Sequence, residues 1–146
     1  MAFKFRLNRE SKYILRRLLN LPNPIHNAIN EGFVTWGKEL VKSAEDAALN
    51  ENKYGEWYPN KISRIHRASA AGQTPAYKTG TWNKKLRFTA GSGLELEFGN
   101  DAKYAAFLEE GTRKMEARTG LINALNKTER NYQSYYNASL LRNLKK

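Results

Sequence analysis

The chain has no cysteine, which excludes a disulfide framework, thiolate nucleophiles and cysteine-held metal. Its two histidines, His26 and His66, lie far apart and neither begins a His-x-x-x-His pair, so a zinc site has too few donors. Acids are scarce, 14 against 25 Lys and Arg, for a net charge of +11. No apolar run approaches the ~20 residues of a membrane span. The basic start, Met-Ala-Phe-Lys-Phe-Arg-Leu, is not followed by the apolar core of a secretory signal. Gly-Ser-Gly at 91–93 lacks the helix and the Gly-Lys-Ser/Thr of a phosphate loop. The adjacent carboxylates Glu45–Asp46 and Glu109–Glu110 would point about 100° apart on a helix. They read as solvated faces or intersubunit salt-bridge partners, not as an acid/base dyad. No nucleophile–base constellation stands out. The expectation is a soluble, intracellular protein that is no enzyme, with no cofactor, no metal and no membrane partner.

What is present is charge and aromaticity. A length of 146 residues makes one domain the default. The mean hydropathy of −0.74 is low for a compact monomer. Yet there are 8 Tyr, 6 Phe and 3 Trp. A polar chain rich in aromatics suits burial against copies of itself, since Tyr, Trp and Arg favour interfaces. The competing reading is a small domain whose core uses the aromatics. The positive charge is spread over residues 1–20, 51–90 and 112–146, while the acids cluster at 39–51 and 95–110. Such a surface draws phosphate backbones or an acidic protein partner.

Taken in order, Phe3, Phe5 and Leu7 alternate with Lys4 and Arg6, which predicts a half-buried strand. Asn8 can cap a helix over about 9–20 that stops before Pro22. Pro24, with Asn23 as cap, opens a second helix over 24–50. Its apolar stripe is Ile25, Ile29, Phe33, Trp36, Leu40, Ala44 and Ala47, interrupted by Gly32 and Gly37. No period holds over 51–84, so that stretch reads as a long extended arm, ordered on a neighbouring subunit. Residues 85–98 predict a β-hairpin around a glycine turn, with Leu86, Phe88, Leu94, Leu96 and Phe98 on one face. Arg87 should then share the outer face with Glu95 and Glu97. Tyr104, Phe107 and Leu108 share one side of a short helix that Gly111 would stop, followed by an extended basic exit over 112–118. A last helix is expected over 121–144. One stripe is Leu121, Leu125, Tyr132, Tyr136 and Leu140, broadened by Ile122, Tyr135 and Leu144. The fold class is α+β: a small antiparallel sheet, from the hairpin and the N-terminal strand, packed by the two long helices on one side.

Two stretches carry a resemblance. His66-Arg67-Ala68-Ser69-Ala70-Ala71-Gly72-Gln73-Thr74-Pro75-Ala76-Tyr77-Lys78-Thr79-Gly80 is similar to His-Arg-Ala-Ser-x-Pro-Gly-x-x-Pro-Ala-x-x-Thr-Gly. Tyr104-Ala105-Ala106-Phe107-Leu108-Glu109-Glu110-Gly111-Thr112-Arg113-Lys114-Met115 is similar to Tyr-Ala-x-Phe-x-Glu-aromatic-Gly-Thr-x-x-Met. Together, flanking a hairpin, they resemble the head–tail neck and tail-component (tail completion) proteins of long-tailed bacteriophages. Gly55, Tyr58 and Pro59 match a weaker lead-in. The likeness covers roughly residues 24–144. Ala71 replaces a usual proline, Lys78 a common acid and Glu110 an apolar or aromatic residue, and Arg118-Thr119-Gly120-Leu121 stands where Arg-Pro-Phe-Leu is usual.

The resemblance implies a non-enzymatic virion protein, assembled in the host cytoplasm. It would form a ring, commonly hexameric, that completes the tail and joins it to the head. Other neck and tail proteins would be partners, and genomic DNA would pass through the lumen without sequence-specific contact. Tail terminator, stopper and head-side adaptor remain as alternative stations, and a basic nucleic-acid-binding module as an alternative class. The candidate interface places Trp57, Tyr58, Pro75, Tyr77 and Trp82 of the arm on one side, against a hairpin edge and the final helix of the neighbour. The motif residues Pro59, His66, Arg67, Thr79, Gly80, Tyr104, Phe107, Glu109, Gly111, Thr112, Arg113 and Met115 complete the set.

Overall fold

The computed structural model describes residues 2–4, 22–60, 64–91 and 95–145. Its longest element is α1 (Asn23–Asn50), which begins as expected with Pro24 in the first turn, although Pro22 and not Asn23 occupies the cap position. Three antiparallel strands form the main sheet in the order β1 (Ala2–Lys4), β5 (Glu95–Asn100), β4 (Leu86–Gly91). Phe88 stands opposite Phe98 and Ala90 opposite Leu96, so the alternation of β4 and β5 puts one apolar face toward α1. The fold class is α+β, as expected. Phe5, Leu7, the helix expected over 9–20 and Leu94 lie outside the described residues.

Leu40, Ala44 and Ala48 of α1 meet Leu96 and Phe98 of β5 and Leu121 and Ala124 of α4 (Gly120–Thr128) in one core. On the outer face Arg87 pairs with Glu97 at 3.2 Å and with Asp101 at 2.7 Å. The expected cross-strand pair therefore forms, with Asp101 rather than Glu95 as the second acid.

The expected stripe of α1 is covered, with Leu40 and Ala44 buried, but the covered face is wider than that stripe. Its fully covered positions include Ala28, Gly32, Gly37, Ser43 and Ala48, while Phe33 and Trp36 are half-buried. The reason is that α1 is approached from two sides, and small residues mark both seams. A methyl group at Gly37 would overlap the Phe88 ring. One at Gly32 would press on Tyr132 and on the backbone of Tyr136, 3.3–3.4 Å away. The two glycines that weaken helix propensity are what let the sheet and the C-terminal helix close on α1.

The single helix expected over 121–144 is broken. A 3₁₀ turn at Glu129–Asn131 separates α4 from α5 (Tyr132–Leu144). The Thr128 hydroxyl donates to the Ala124 carbonyl at 2.9 Å and accepts from the Trp36 indole at 3.0 Å. Such back-bonding bends helices, and a tighter turn resets the phase of the buried face. Ser139 and Asn143 consequently face inward, while Leu144 is exposed. Tyr132 stacks on Phe33 at 5.1 Å, and burial, with Tyr136 beside it, pushes the Tyr132 phenol up to about 12.

The stretch 51–84 is not wholly irregular. It contains a two-stranded ribbon, β2 (Trp57–Asn60) and β3 (Arg64–Arg67), and the short helix α2 (Thr81–Lys84). Strands of four residues containing Pro59 are too short to show a period.

Gly37→Ala should lower unfolding free energy by about 1–3 kcal/mol in denaturant titrations, because overpacking at Phe88 outweighs the gain of roughly 1 kcal/mol in helix propensity. A more stable variant would show that Phe88 has room to move.

Candidate functional site

The stretch around 104–118 is anchored by one buried carboxylate. The short helix α3 (Ala105–Glu110) ends at Gly111, whose φ of 77° with ψ near −178° is open essentially to glycine alone. The chain then makes a tight turn in which Thr112 and Met115 bond backbone to backbone, so the expected extended exit begins only after Met115. Glu109 points inward from α3 and is only 4% exposed. Its Oε1 accepts the Leu121 amide at 2.7 Å, with the Gly120 and Ile122 amides close by. Glu109 thus caps the N-terminus of α4 from a separate helix, where unpaired amides and the helix dipole favour an anion. Burial raises its pKa, and the three amides pull it back only in part. Reading Glu109 as a solvated or intersubunit carboxylate is therefore corrected, and as an interface residue it has no free surface.

The other stretch locks onto the same helix end. The Gly72 amide donates to Ala117 O at 2.9 Å. The Gly72 carbonyl accepts from the Thr119 hydroxyl at 3.0 Å and from Asn123 Nδ2 at 2.8 Å. Gly120 leaves room for two neighbours: a Cβ there would lie 2.7 Å from the Trp82 ring and 2.8 Å from Pro75 Cδ. Trp82 is 6% exposed, and its carbonyl accepts from the buried Asn100 side chain at 2.7 Å. Farther back, the Tyr77 amide bonds Ala48 O, and the Lys53 ammonium bonds Thr74 O at 3.0 Å. Pro75 and Trp82 are thus covered by their own chain, and much of the stretch 68–84 is body rather than arm.

The remaining candidates divide by exposure. Trp57 (63%) and Phe107 (61%) stand out, and Tyr58, Tyr77 and Tyr104 are also exposed. Pro59, Thr79, Thr112 and Arg113 are exposed too, Met115 is half-buried, and Gly80 is buried where it precedes α2. His66 pairs with Tyr58 along the ribbon, but its side chain lies outside the described residues. Arg67 lies over both the Trp57 ring, at 5.3 Å, and the Tyr54 ring, at 5.6 Å. Cation–π stacking of this kind stiffens an otherwise marginal ribbon. Gln73 fastens the ribbon's base: its Oε1 accepts the Tyr54 and Ala70 amides, and its Nε2 donates to Asn52 O.

Between the ribbon, the loop over 68–80 and the joint made by α3 and the turn that follows it runs a groove of about 500 Å³. Tyr58, Tyr77, Tyr104, Met115, Lys78 and Arg118 help line it, and no carboxylate does so among the described residues. Lys78 and Arg118 are outside the candidate set read from sequence. The signal that pointed to Lys78 was its departure from the acid common in the resembled pattern. Among the described residues, no cluster of three or more His, Asp or Glu is placed to hold a metal ion, and no helix is long and apolar enough to cross a membrane. No family model, curated protein or solved structure matches the chain.

Glu109→Ala should cost about 1–3 kcal/mol, since it strands amides in a site closed to water. Glu109→Gln retains an acceptor and should cost less. The folded pKa lies above the ordinary 4.5, so the native state holds this proton more tightly than the unfolded chain. That contribution to stability is present below 4.5 and is lost as pH rises through the raised value. The wild-type minus Glu109→Gln stability difference, from denaturant midpoints, should fall across that window. A flat difference would remove the burial argument.

Proposed function

We propose that this chain is a structural protein of the head–tail junction of a long-tailed bacteriophage. It forms a closed homo-oligomeric ring, a hexamer by the resemblance, that completes the tail and joins it to the head around the DNA channel. In this reading it acts without catalysis in the virion, after assembly in the host cytoplasm. Its partners are its own copies and other neck and tail proteins, and DNA passes through the lumen without base-specific contact.

The observation that carries this reading is the meeting of the two resembling stretches. They are separated by the β4–β5 hairpin in sequence, yet Gly72, Pro75 and Trp82 of one side lock onto Ala117, Thr119 and Gly120 just after the other. Two patterns that form one interlocked unit are less easily a coincidence of composition than two separate loops. The exposed ribbon adds a second support. Trp57 and Tyr54 are exposed with Arg67 over both rings, and Tyr58, the next residue of the strand, is exposed as well; these are residue types that anchor protein interfaces. A closed ring needs one patch to meet a different patch on the neighbour, and a protruding ribbon is suited to one half of such a contact.

The ribbon also leaves the nucleic-acid reading a specific footing, because exposed aromatics next to arginine can stack on unpaired bases. The two readings part in one experiment. Trp57→Ala combined with Tyr58→Ala should leave the helical circular-dichroism signal unchanged, as neither side chain is in the core. In light scattering, the wild type should reach a multimer mass at a concentration at which the double variant stays monomeric, a shift of tenfold or more. Rings that assemble at the wild-type concentration would exclude the ribbon as the interface. Strongly salt-dependent binding of single-stranded DNA by a persistent monomer would favour the nucleic-acid reading.

A further inference from the structure

We infer that the groove between ribbon, loop and joint is a docking cleft for an extended, acidic segment of another protein. Its carboxylates would sit at Lys78 and Arg118, and its apolar side chains against Tyr77, Tyr104 and Met115. The inference depends on the groove's chemistry and not on ring formation.

The argument starts from the two cations. Arg118 is half-buried, and among the described residues its Nη1 donates only to the carbonyls of Glu116 and Ala117, at 3.0 and 3.5 Å. No carboxylate pairs with it or with Lys78 among the described residues. Arg87, Arg142 and Lys53, by contrast, each hold an acid of their own chain. Glu56, beside the groove, accepts the Tyr58 hydroxyl at 3.0 Å and pairs with neither cation. A half-buried guanidinium with no ion pair attracts an anion more strongly than a solvated lysine does. The walls say what the anion is attached to. Three half-exposed tyrosines and a methionine form a concave, largely apolar lining that fits side chains of an extended peptide.

Duplex DNA fits less well. Its affinity comes from neutralising many phosphates along a convex rod, and this groove offers two cations in a concavity of about 500 Å³. A second copy also fits less well. Four of its acids, Glu31, Glu51, Glu97 and Asp101, are already paired within the chain, and those left exposed, such as Asp46, Glu95 and Glu110, lie on separate elements rather than on one extended segment.

The test uses the full chain and two fluorescein-labelled peptides, Asp-Pro-Asp-Leu-Asp-Phe and Lys-Pro-Lys-Leu-Lys-Phe, read by fluorescence anisotropy. The acidic peptide should bind saturably and the basic one should not. Lys78→Ala with Arg118→Ala should weaken binding at least tenfold. Lys38→Ala with Lys42→Ala removes the same charge from the exposed face of α1 and should change nothing. Lys78→Glu, at an exposed position that leaves the fold intact, should shift preference toward the basic peptide. Equal losses from both double variants would reduce the effect to net charge and overturn the inference. So would the absence of any loss from the groove pair, displacement of the peptide by duplex DNA at equal concentration, or a change in solution mass caused by the groove pair, which would make a second copy the occupant.

Discussion

A single buried carboxylate holds together the part of the molecule that carries the groove and the ribbon. Glu109 sits beneath the first turn of α4, with the Leu121 amide on its Oε1 and two further amides at hand. A helix starting in the interior must find acceptors for its first amides or lose the cost of leaving them unpaired. Here Thr119, at the cap position, does not serve, because its hydroxyl is turned to the Gly72 carbonyl. The acceptor therefore comes from α3. That exchange ties α3, α4 and the loop around Gly72 into one unit, and every contact beyond it is built on their fixed relation.

From that unit the surface features follow in order. Gly120, free of a side chain, admits Trp82 and Pro75, which pins the loop between ribbon and α2. With the loop pinned, Tyr77 and Lys78 are held in the lining of the groove together with Tyr104, Met115 and Arg118. Gln73 in the same loop holds the base of the ribbon. The energetic pattern is a rigid floor with an aromatic projection beside it. Such a division suits a protein that keeps its own fold while ordering against others.

Much of this was legible in the sequence, and the exceptions have physical causes. The period of α1 located that helix to within a residue, and the alternation around Phe88 and Phe98 located the hairpin and its inner face. The full width of the covered face on α1 was missed, because an amphipathic stripe assumes one neighbour and Gly32 and Gly37 admit two. The break at Thr128 was missed because a threonine's choice between its own backbone and the Trp36 indole depends on tertiary contact. Glu109 was read as solvated because a glutamate in a Glu-Glu pair carries no mark of burial; only the position of α4 reveals it. The ribbon escaped notice because strands of four residues fall below the length at which alternation can be counted. Of the candidate interface residues, the exposed aromatics were well chosen as surface, while Pro75, Trp82 and Glu109 turned out to hold the unit together from within.

The central claim is that this rigid unit presents the ribbon to a neighbouring copy in a closed ring. Electron cryomicroscopy of the assembled protein tests it most directly. The account predicts a closed ring in which Trp57 and Tyr58 are buried against the next subunit while the Glu109–Leu121 contact is unchanged. A ring with the ribbon exposed to solvent, or one formed by opening the Glu109 joint, would contradict it.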